Sequence, residues 1–172
     1  VDNTNRMERI LLDARDSIRE IRHLTVINPD GIVVISTNPG IKPGEDCRSK
    51  PVFLNGRTEN GIDSYYKEES GKLWMKLAGP LKLEDEVLGV LVIEATADQL
   101  VEITSTYDGL GQSGETLLAV DQDGGSVYLT PLRFDPEASL EKPVTDRALT
   151  AAVNGTEGVS REVEDYRGKR VL

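Results

Sequence analysis

The stretch Val87-Leu88-Gly89-Val90-Leu91-Val92-Ile93-Glu94-Ala95 decides the fold class of this 172-residue chain. From Val87 to Ile93 nearly every position is apolar, which is typical of a strand that is covered on both faces. The run is much shorter than the roughly 20 apolar residues that cross a bilayer. We therefore predict that it forms the middle strand of a buried sheet.

Outward from this strand, short runs of strand-forming residues alternate with turns rich in Gly, Pro, Asp and Glu. The strands predicted from them are Leu24–Ile27, Ile32–Thr37, Ile62–Lys67 and Lys72–Leu83. Apolar residues at steps of three and four predict an amphipathic helix over residues 5–22, and Glu45–Gly56 has room only for short helical turns. Together these elements predict an α+β fold in which a long N-terminal helix precedes an antiparallel sheet.

A second pattern follows a short helix predicted at Ala97–Thr104. It consists of a hairpin, a loop bounded by prolines, a helix and further strands, predicted at Glu115–Val120, Ser126–Thr130, Thr145–Val153, Gly158–Glu164 and Lys169–Leu172. This outline repeats the first one but has fewer strands than a complete sheet of that kind needs. We therefore predict two modules, 1–105 and 106–172, of which the second is incomplete at its C-terminus.

Composition limits the possible functions. The chain has 30 acidic and 20 basic residues and a net charge of −10, which argues against a nucleic-acid partner. Cys47 is the only cysteine and His23 the only histidine. A disulfide, a CxxC pair and a zinc site of the usual Cys/His type therefore cannot form within the chain. We expect no cofactor, no metal site and no catalytic activity, and we assign no role to His23.

Polar and aromatic side chains on two predicted strands indicate a binding site. Tyr65, Tyr66, Trp74 and Lys76 lie close together, and alternation sends the two tyrosines to opposite faces while Trp74 and Lys76 share one face. Glu94 interrupts the buried strand, where an unpaired carboxylate would be costly. A ligand amine, Lys50 or Lys76 could be its partner. Ordinary sheet packing and an internal salt bridge are the alternative interpretations.

Several local strings follow one another along the chain with characteristic spacing. They are Val26-Ile27-Asn28-Pro29-Asp30-Gly31, Ser49-Lys50-Pro51-Val52-Phe53, Gly89-Val90-Leu91-Val92-Ile93-Glu94, Gly109-Leu110-Gly111-Gln112-Ser113-Gly114-Glu115-Thr116 and Asp165-Tyr166-Arg167-Gly168. In this order the strings resemble the double Cache (PAS-like) extracytoplasmic sensor region of bacterial and archaeal transmembrane receptors. The string Leu129-Thr130-Pro131-Leu132-Arg133 is most similar to those of sensor histidine kinases and diguanylate cyclases.

The resemblance implies a place and a role for the chain. It implies that a small ligand binds in the membrane-distal module, between the sheet and the irregular helical segment, and that the long helix passes the signal toward the membrane. We expect the extracellular or periplasmic input domain of a sensor histidine kinase, joined to the membrane by segments outside this chain and paired with a second copy through its N-terminal helix. A diguanylate cyclase, a chemoreceptor, or a ligand-free structural or dimerisation module are the alternatives.

The resemblance also implies the site residues. Amino-acid-sensing members carry an Arg-Pro-Trp-Tyr string and an Asp where this chain has Lys50-Pro51-Val52-Phe53 and Glu94. Lys50 keeps a cation for a carboxylate and Glu94 keeps an anion for an amine, whereas the aromatic platform and the guanidinium fork are lost. A small carboxylate, an amine or an amino acid are therefore all open as ligands. The predicted ligand-binding residues are Lys50, Val52, Phe53, Tyr65, Tyr66, Trp74, Lys76 and Glu94.

Overall fold

A computed structural model describes residues 2–122, 124–159 and 163–171. The chain divides into two compact units between Ala97 and Asp98. Among the described residues, no helix is both long enough and apolar enough to cross a membrane.

The first unit is a five-stranded antiparallel sheet with one helix before its first strand and one helix between its second and third strands. Its elements are α1 (Asp2–Ser17), β1 (Ile21–Ile27), β2 (Val33–Ser36), α2 (Pro51–Gly56), β3 (Gly61–Lys67), β4 (Leu73–Leu83) and β5 (Glu86–Thr96). The strand order is β2-β1-β5-β4-β3, so the apolar strand β5 is central as predicted. The α+β class and the PAS-like antiparallel sheet predicted from the sequence are confirmed.

The predicted turn between β1 and β2 forms around Asn28. Its Oδ1 atom accepts hydrogen bonds from the backbone N–H groups of Asp30 (3.1 Å) and Ile32 (2.9 Å). Gly31 supplies the left-handed conformation that closes the turn, with φ of +80°. The turn therefore sets the register in which Val26 pairs with Ile35.

The first helix is shorter than the prediction of residues 5–22, and that part of the prediction is wrong. α1 ends at Ser17, and Ile21 already pairs with Ala95 in the sheet. The helical spacing of apolar residues continues past the end of the helix because Ile21, which fits that spacing, belongs to the strand that follows. Leu11 is a buried residue of this helix, whereas Met7 and Ile10, and Ile18 just after the helix end, are exposed.

Each face of the sheet has its own apolar cluster. On one face α2 packs through Phe53 against Ile27, Val33, Ala78 and Val90. On the opposite face α1 packs through Leu11, and the buried members of that cluster are Leu11, Leu24 and Ile35. The two faces of the sheet are therefore covered by different helices, which explains why β5 is apolar at nearly every position.

Two glycines allow close packing in this sheet. A Cβ atom at Gly89, where φ is +154°, would lie 2.3 Å from the carbonyl oxygen of Ile27. A Cβ atom at Gly56 would lie 2.7 Å from Val90 Cγ1. Gly56 therefore lets α2 approach the central strand closely enough to cover it.

The second unit is built from short elements. They are α3 (Asp98–Thr104), β6 (Ala119–Gln122), β7 (Gly125–Tyr128), a 3-10 turn (Pro136–Ala138), α4 (Arg147–Val153), β8 (Val163–Glu164) and β9 (Arg170–Val171). β6 pairs with β7 and β8 pairs with β9, both antiparallel. Residues 160–162 and 172 of the predicted strands, and residue 123 of the predicted hairpin turn, lie outside the described residues.

A buried cluster that begins at the last residue of β7 and a helix cap organise this unit. Tyr128, Leu132 and Ala138 form its buried apolar cluster. The carboxylate of Asp146 caps α4 by accepting from the backbone N–H groups of Ala148 (2.6 Å) and Leu149 (3.0 Å). Capping satisfies backbone donors that the first turn of a helix leaves free.

Candidate functional site

A band of polar side chains crosses the sheet on the face that carries α2. The strand register places His23 beside Glu94, Glu94 beside Lys76, and Lys76 beside Ser64, so that four strands each contribute one member. Two residues before Lys76 on β4, Trp74 pairs with Tyr66 of β3 on the same face. On this face the band lies next to the apolar residues that α2 covers.

A β-bulge brings a further charge to this face. Ile21 pairs with Ala95 and His23 pairs with Glu94, so Arg22 is an extra residue of β1 with no partner position on β5. In a continuous ladder Arg22 and His23 would point to opposite faces. A bulge re-aims the side chain of the inserted residue, and here the Arg22 guanidinium reaches the Glu94 side of the sheet.

Glu94 is a carboxylate that is only 8% exposed. The hydroxyl of Tyr66 donates to its Oε1 atom at 2.5 Å, and Arg22 Nε lies 3.9 Å from the same oxygen. These groups are the partners of Glu94, in place of the Lys50 or Lys76 predicted from the sequence. Burial, followed by the hydrogen bond to Glu94, raises the pKa of Tyr66 to about 12.

The Arg22 guanidinium is held by a second carboxylate and an aromatic ring. Its NH1 nitrogen lies 2.5 Å from Glu68 Oε1, and its central carbon lies 4.6 Å from the centre of the Trp74 ring. The pKa of Glu68 is lowered, first by the indole N–H of Trp74 and then by the hydrogen bond from Arg22. We call the group formed by Tyr66, Glu68, Trp74 and Glu94 the cation cage.

Two buried polar atoms of this face lack a hydrogen bond. Among the described residues, His23 Nδ1 and the Trp74 indole nitrogen have no hydrogen-bond partner, although the indole lies close enough to Glu68 to lower the pKa of that carboxyl. Burial lowers the pKa of His23, which favours the neutral imidazole. Buried polar groups are normally paired, and unpaired ones beside charged residues are typical of a site that a ligand completes.

The structure brings together four of the predicted site residues. Tyr66, Trp74, Lys76 and Glu94 share one face of the sheet. Tyr65 pairs with Met75 and lies on the opposite face.

The other predicted residues lie on or beside α2. Lys50 precedes the helix and forms an exposed ion pair with Glu45, at 2.5 Å. Phe53 is buried in the apolar cluster beneath α2, and Val52 packs against that cluster. The structure therefore places Lys50, Val52 and Phe53 outside the charged part of the band.

Sequence reasoning missed Arg22, Glu68 and His23. We placed Arg22 at the end of a helix, Glu68 in an acidic turn and His23 at a boundary without a role. A sequence signal existed for Arg22, because Arg22 and His23 are consecutive polar residues that interrupt an apolar alternation. Such a pair is compatible with a bulge but does not identify one.

A separate groove of about 420 Å³ lies mainly on the opposite face of the sheet. Leu77, Leu81, Leu91 and Ile93 line it, together with residues around Gly61. Its wall is apolar and contains none of the charged groups of the polar band. The polar band, and not this groove, therefore offers charged groups to a ligand in the first unit.

Comparison with solved structures identifies the fold. The ligand-binding domain of the Pseudomonas aeruginosa PAO1 amino acid chemoreceptor PctC, in complex with GABA, is similar to 88% of this chain with a TM-score of 0.57 and 16% identity. The match covers 65% of that solved chain. The chain has a Cache-type fold. No protein-family model matches the sequence, and no curated protein sequence matches it either.

Other solved domains are similar to parts of the Cache-type fold. The ligand-binding domain of the Campylobacter jejuni chemoreceptor Tlp3 with 4-methylisoleucine covers 73% of the chain at 11% identity, with a TM-score of 0.46. That of the Pseudomonas fluorescens chemoreceptor CtaA with L-valine covers 62% at 17% identity, with a TM-score of 0.44. The matches cover 65% and 48% of those solved chains, so this chain spans at most about two thirds of each.

Proposed function

We propose that this chain is the extracytoplasmic signal-input domain of a transmembrane receptor and that it binds a small molecule on the polar band. The observation that carries the proposal is the buried Glu94 carboxylate, which lies on the central strand beside polar atoms that are buried and have no hydrogen-bond partner within the described part of the chain. The Cache-type fold supports it, since PctC, which has the same fold, is a chemoreceptor domain in complex with GABA.

The charges of the band favour a small ligand with polar or charged groups. Arg22 and Lys76 supply positive charge, and Glu68 and Glu94 supply negative charge. Lys76 forms no ion pair with any described residue, and its ammonium lies 5.8 Å from the Tyr66 ring. Lys76 can therefore meet a ligand carboxylate while the carboxylates of the band meet an amine. Small carboxylates, amines and amino acids all fit this arrangement.

A ligand screen by thermal shift tests the proposal. The panel contains small carboxylates, amines and amino acids, applied to the parent chain, Lys76→Ala and Glu94→Ala. A ligand present at 100 times its dissociation constant adds about 2.7 kcal/mol to stability. We expect a hit that both substitutions abolish.

Lys50→Ala is the matched control, because Lys50 is an exposed lysine of the same unit paired with Glu45. A hit that survives Lys76→Ala and Glu94→Ala but is lost in Lys50→Ala would move the site to the start of α2. A folded protein that shows no hit across the panel would contradict ligand binding by the isolated chain.

For the receptor class, we propose a sensor histidine kinase and regard the domain itself as non-catalytic. The second candidate is a chemoreceptor, which the PctC similarity favours. A diguanylate cyclase is a third possibility. Purified full-length receptor in membranes distinguishes them, because a histidine kinase incorporates phosphate from ATP into its own histidine in a ligand-dependent way. Absence of such labelling would exclude the kinase.

We also propose that modules 1–105 and 106–172 correspond to the distal and proximal parts of the receptor domain, and that full-length receptors pair through α1. The exposed apolar side chains of Met7 and Ile10 on α1, and of Ile18 just after it, support pairing, since Ile10 is 57% exposed. Ile10→Asp should weaken self-association measured by sedimentation of the membrane-free receptor domain. Unchanged sedimentation would contradict pairing through α1. It would also contradict the alternative that the chain is a ligand-free dimerisation module.

A further inference from the structure

The guanidinium of Arg22 occupies the cation cage in the manner of a bound ligand. It stacks on the Trp74 ring at 4.6 Å and forms an ion pair with Glu68 at 2.5 Å. Its NH1 nitrogen also lies 3.4 Å from the Tyr66 hydroxyl. An aromatic face combined with carboxylates is the environment in which proteins hold organic cations.

Arg22 forms its short ion pair with Glu68 and not with Glu94, the more buried carboxylate of the cage. Arg22 Nε is 3.9 Å from Glu94, which is beyond hydrogen-bond distance. Glu94 is the most buried carboxylate of the cage, with a side chain only 10% exposed against 33% for Glu68. A smaller cation that is not tethered to β1 could approach Glu94 more closely.

Arg22 is partly exposed where it enters the cage. The Arg22 side chain is 36% exposed, and Arg22 is the bulged residue of β1. A bulged residue has no regular place in the strand ladder, so its side chain can swing out without breaking the pairing of its neighbours.

We propose that Arg22 is a built-in competitor for the cation cage and that the ligand of this cage is an organic cation, an alkylammonium or alkylguanidinium group, which displaces it. This inference rests on the proposed function, because it assigns the charged group of the ligand to the same polar band. While Arg22 fills the cage, the apparent affinity for a free cation is the intrinsic affinity multiplied by the fraction of molecules in which Arg22 has left the cage. Lys72, whose ammonium lies 4.8 Å from the same Trp74 ring, is present in the parent and in every variant alike.

Fluorescence of Trp74 provides the test, because Trp74 is the only tryptophan of the chain and forms a wall of the cage. Methylguanidinium chloride is titrated at millimolar concentrations into the parent, Arg22→Ala and Arg22→Gln, against NaCl at equal ionic strength. If Arg22 fills the cage in about 90% of parent molecules, its removal tightens the apparent dissociation constant about tenfold. We expect at least this change in both variants.

Arg57→Ala is the matched control. Arg57 belongs to the same unit and stacks on Phe53 at 5.5 Å, away from the cage. Its removal should leave methylguanidinium binding unchanged. Adding Glu68→Gln to Arg22→Ala should reverse the gain, since it removes a carboxylate of the cage.

Equal affinity in the parent and the Arg22 variants would overturn the proposal. A second measurement decides the matter even if both variants fail to fold. In the parent, the Nε–H resonance of Arg22 should move toward the position of free arginine as methylguanidinium saturates, and a resonance that stays in place overturns displacement. Failure here together with a screen hit that needs Lys76 and Glu94 would leave the proposed function intact and overturn only the role of Arg22.

Discussion

Removing the hydroxyl of Tyr66 should destabilise the first unit measurably. The hydroxyl donates to the buried Glu94 carboxylate at 2.5 Å, and the charged partner of that oxygen, Arg22 Nε, is 3.9 Å away. A hydrogen bond to a charged group contributes about 1.5–3 kcal/mol. Because Tyr66 is only partly buried, we expect Tyr66→Phe to lower the free energy of unfolding by about 2 kcal/mol. For a chain of this size that corresponds to roughly 4–8 °C in melting temperature.

Urea unfolding followed by Trp74 fluorescence measures the effect, because this single tryptophan lies in the same unit. Tyr65→Phe is the matched control, since Tyr65 lies on the opposite face of the sheet, and its cost should stay within about 0.5 kcal/mol. A double-mutant cycle of Tyr66→Phe with Glu94→Gln should give a coupling energy of about 1–2 kcal/mol. Equal effects of the two tyrosine substitutions, or a coupling energy near zero, would refute the hydrogen bond as the source of stability.

Three further predictions concern the ionisation of Tyr66, the packing of α2 and the cap of α4. The pKa of Tyr66 is raised from its ordinary value of 10 to about 12, so its contribution to stability is complete below pH 10 and is lost as pH rises toward 12. Tyr66→Phe should reduce this alkaline loss in unfolding experiments, and an unchanged pH profile would contradict it. Gly56→Ala should cost about 1–3 kcal/mol, because its Cβ would lie 2.7 Å from Val90 Cγ1. Gly61→Ala, which has open space around the added methyl, should show no steric cost in the same urea assay. Asp146→Ala removes the cap of α4 and should cost about 1 kcal/mol in thermal unfolding, with no change expected if the cap is dispensable.

Local patterns were sufficient to predict most of the first sheet. The continuous apolar run of β5 and the turn chemistry of Asn28 to Gly31 act over a few residues, and both were placed correctly. The end of α1 was not, because Ile18 and Ile21 continue the helical spacing although Ile21 pairs in the sheet. Periodicity alone cannot tell a residue of the last helical turn from the first residue of a following strand.

Part of the candidate site was also predictable. Alternation correctly assigned Trp74 and Lys76 to the same face of the sheet and Tyr65 and Tyr66 to opposite faces. The partner of Lys50 was not identified, although Glu45 lies only five residues before it in the sequence. An exposed ion pair between close neighbours competes with any assignment of that lysine to a distant site.

The amino-acid sequence by itself determined the α+β class, the central strand and the buried position of Glu94, because these depend on hydrophobic periodicity and on short turns. Only the tertiary structure decided which groups surround Glu94. Arg22 reaches it through a bulge that exists only when β1 pairs with β5, and Glu68 reaches Arg22 from 46 residues away in the sequence. Pairing register and long-range contact are properties of the assembled sheet, so no local pattern could have brought these charges together.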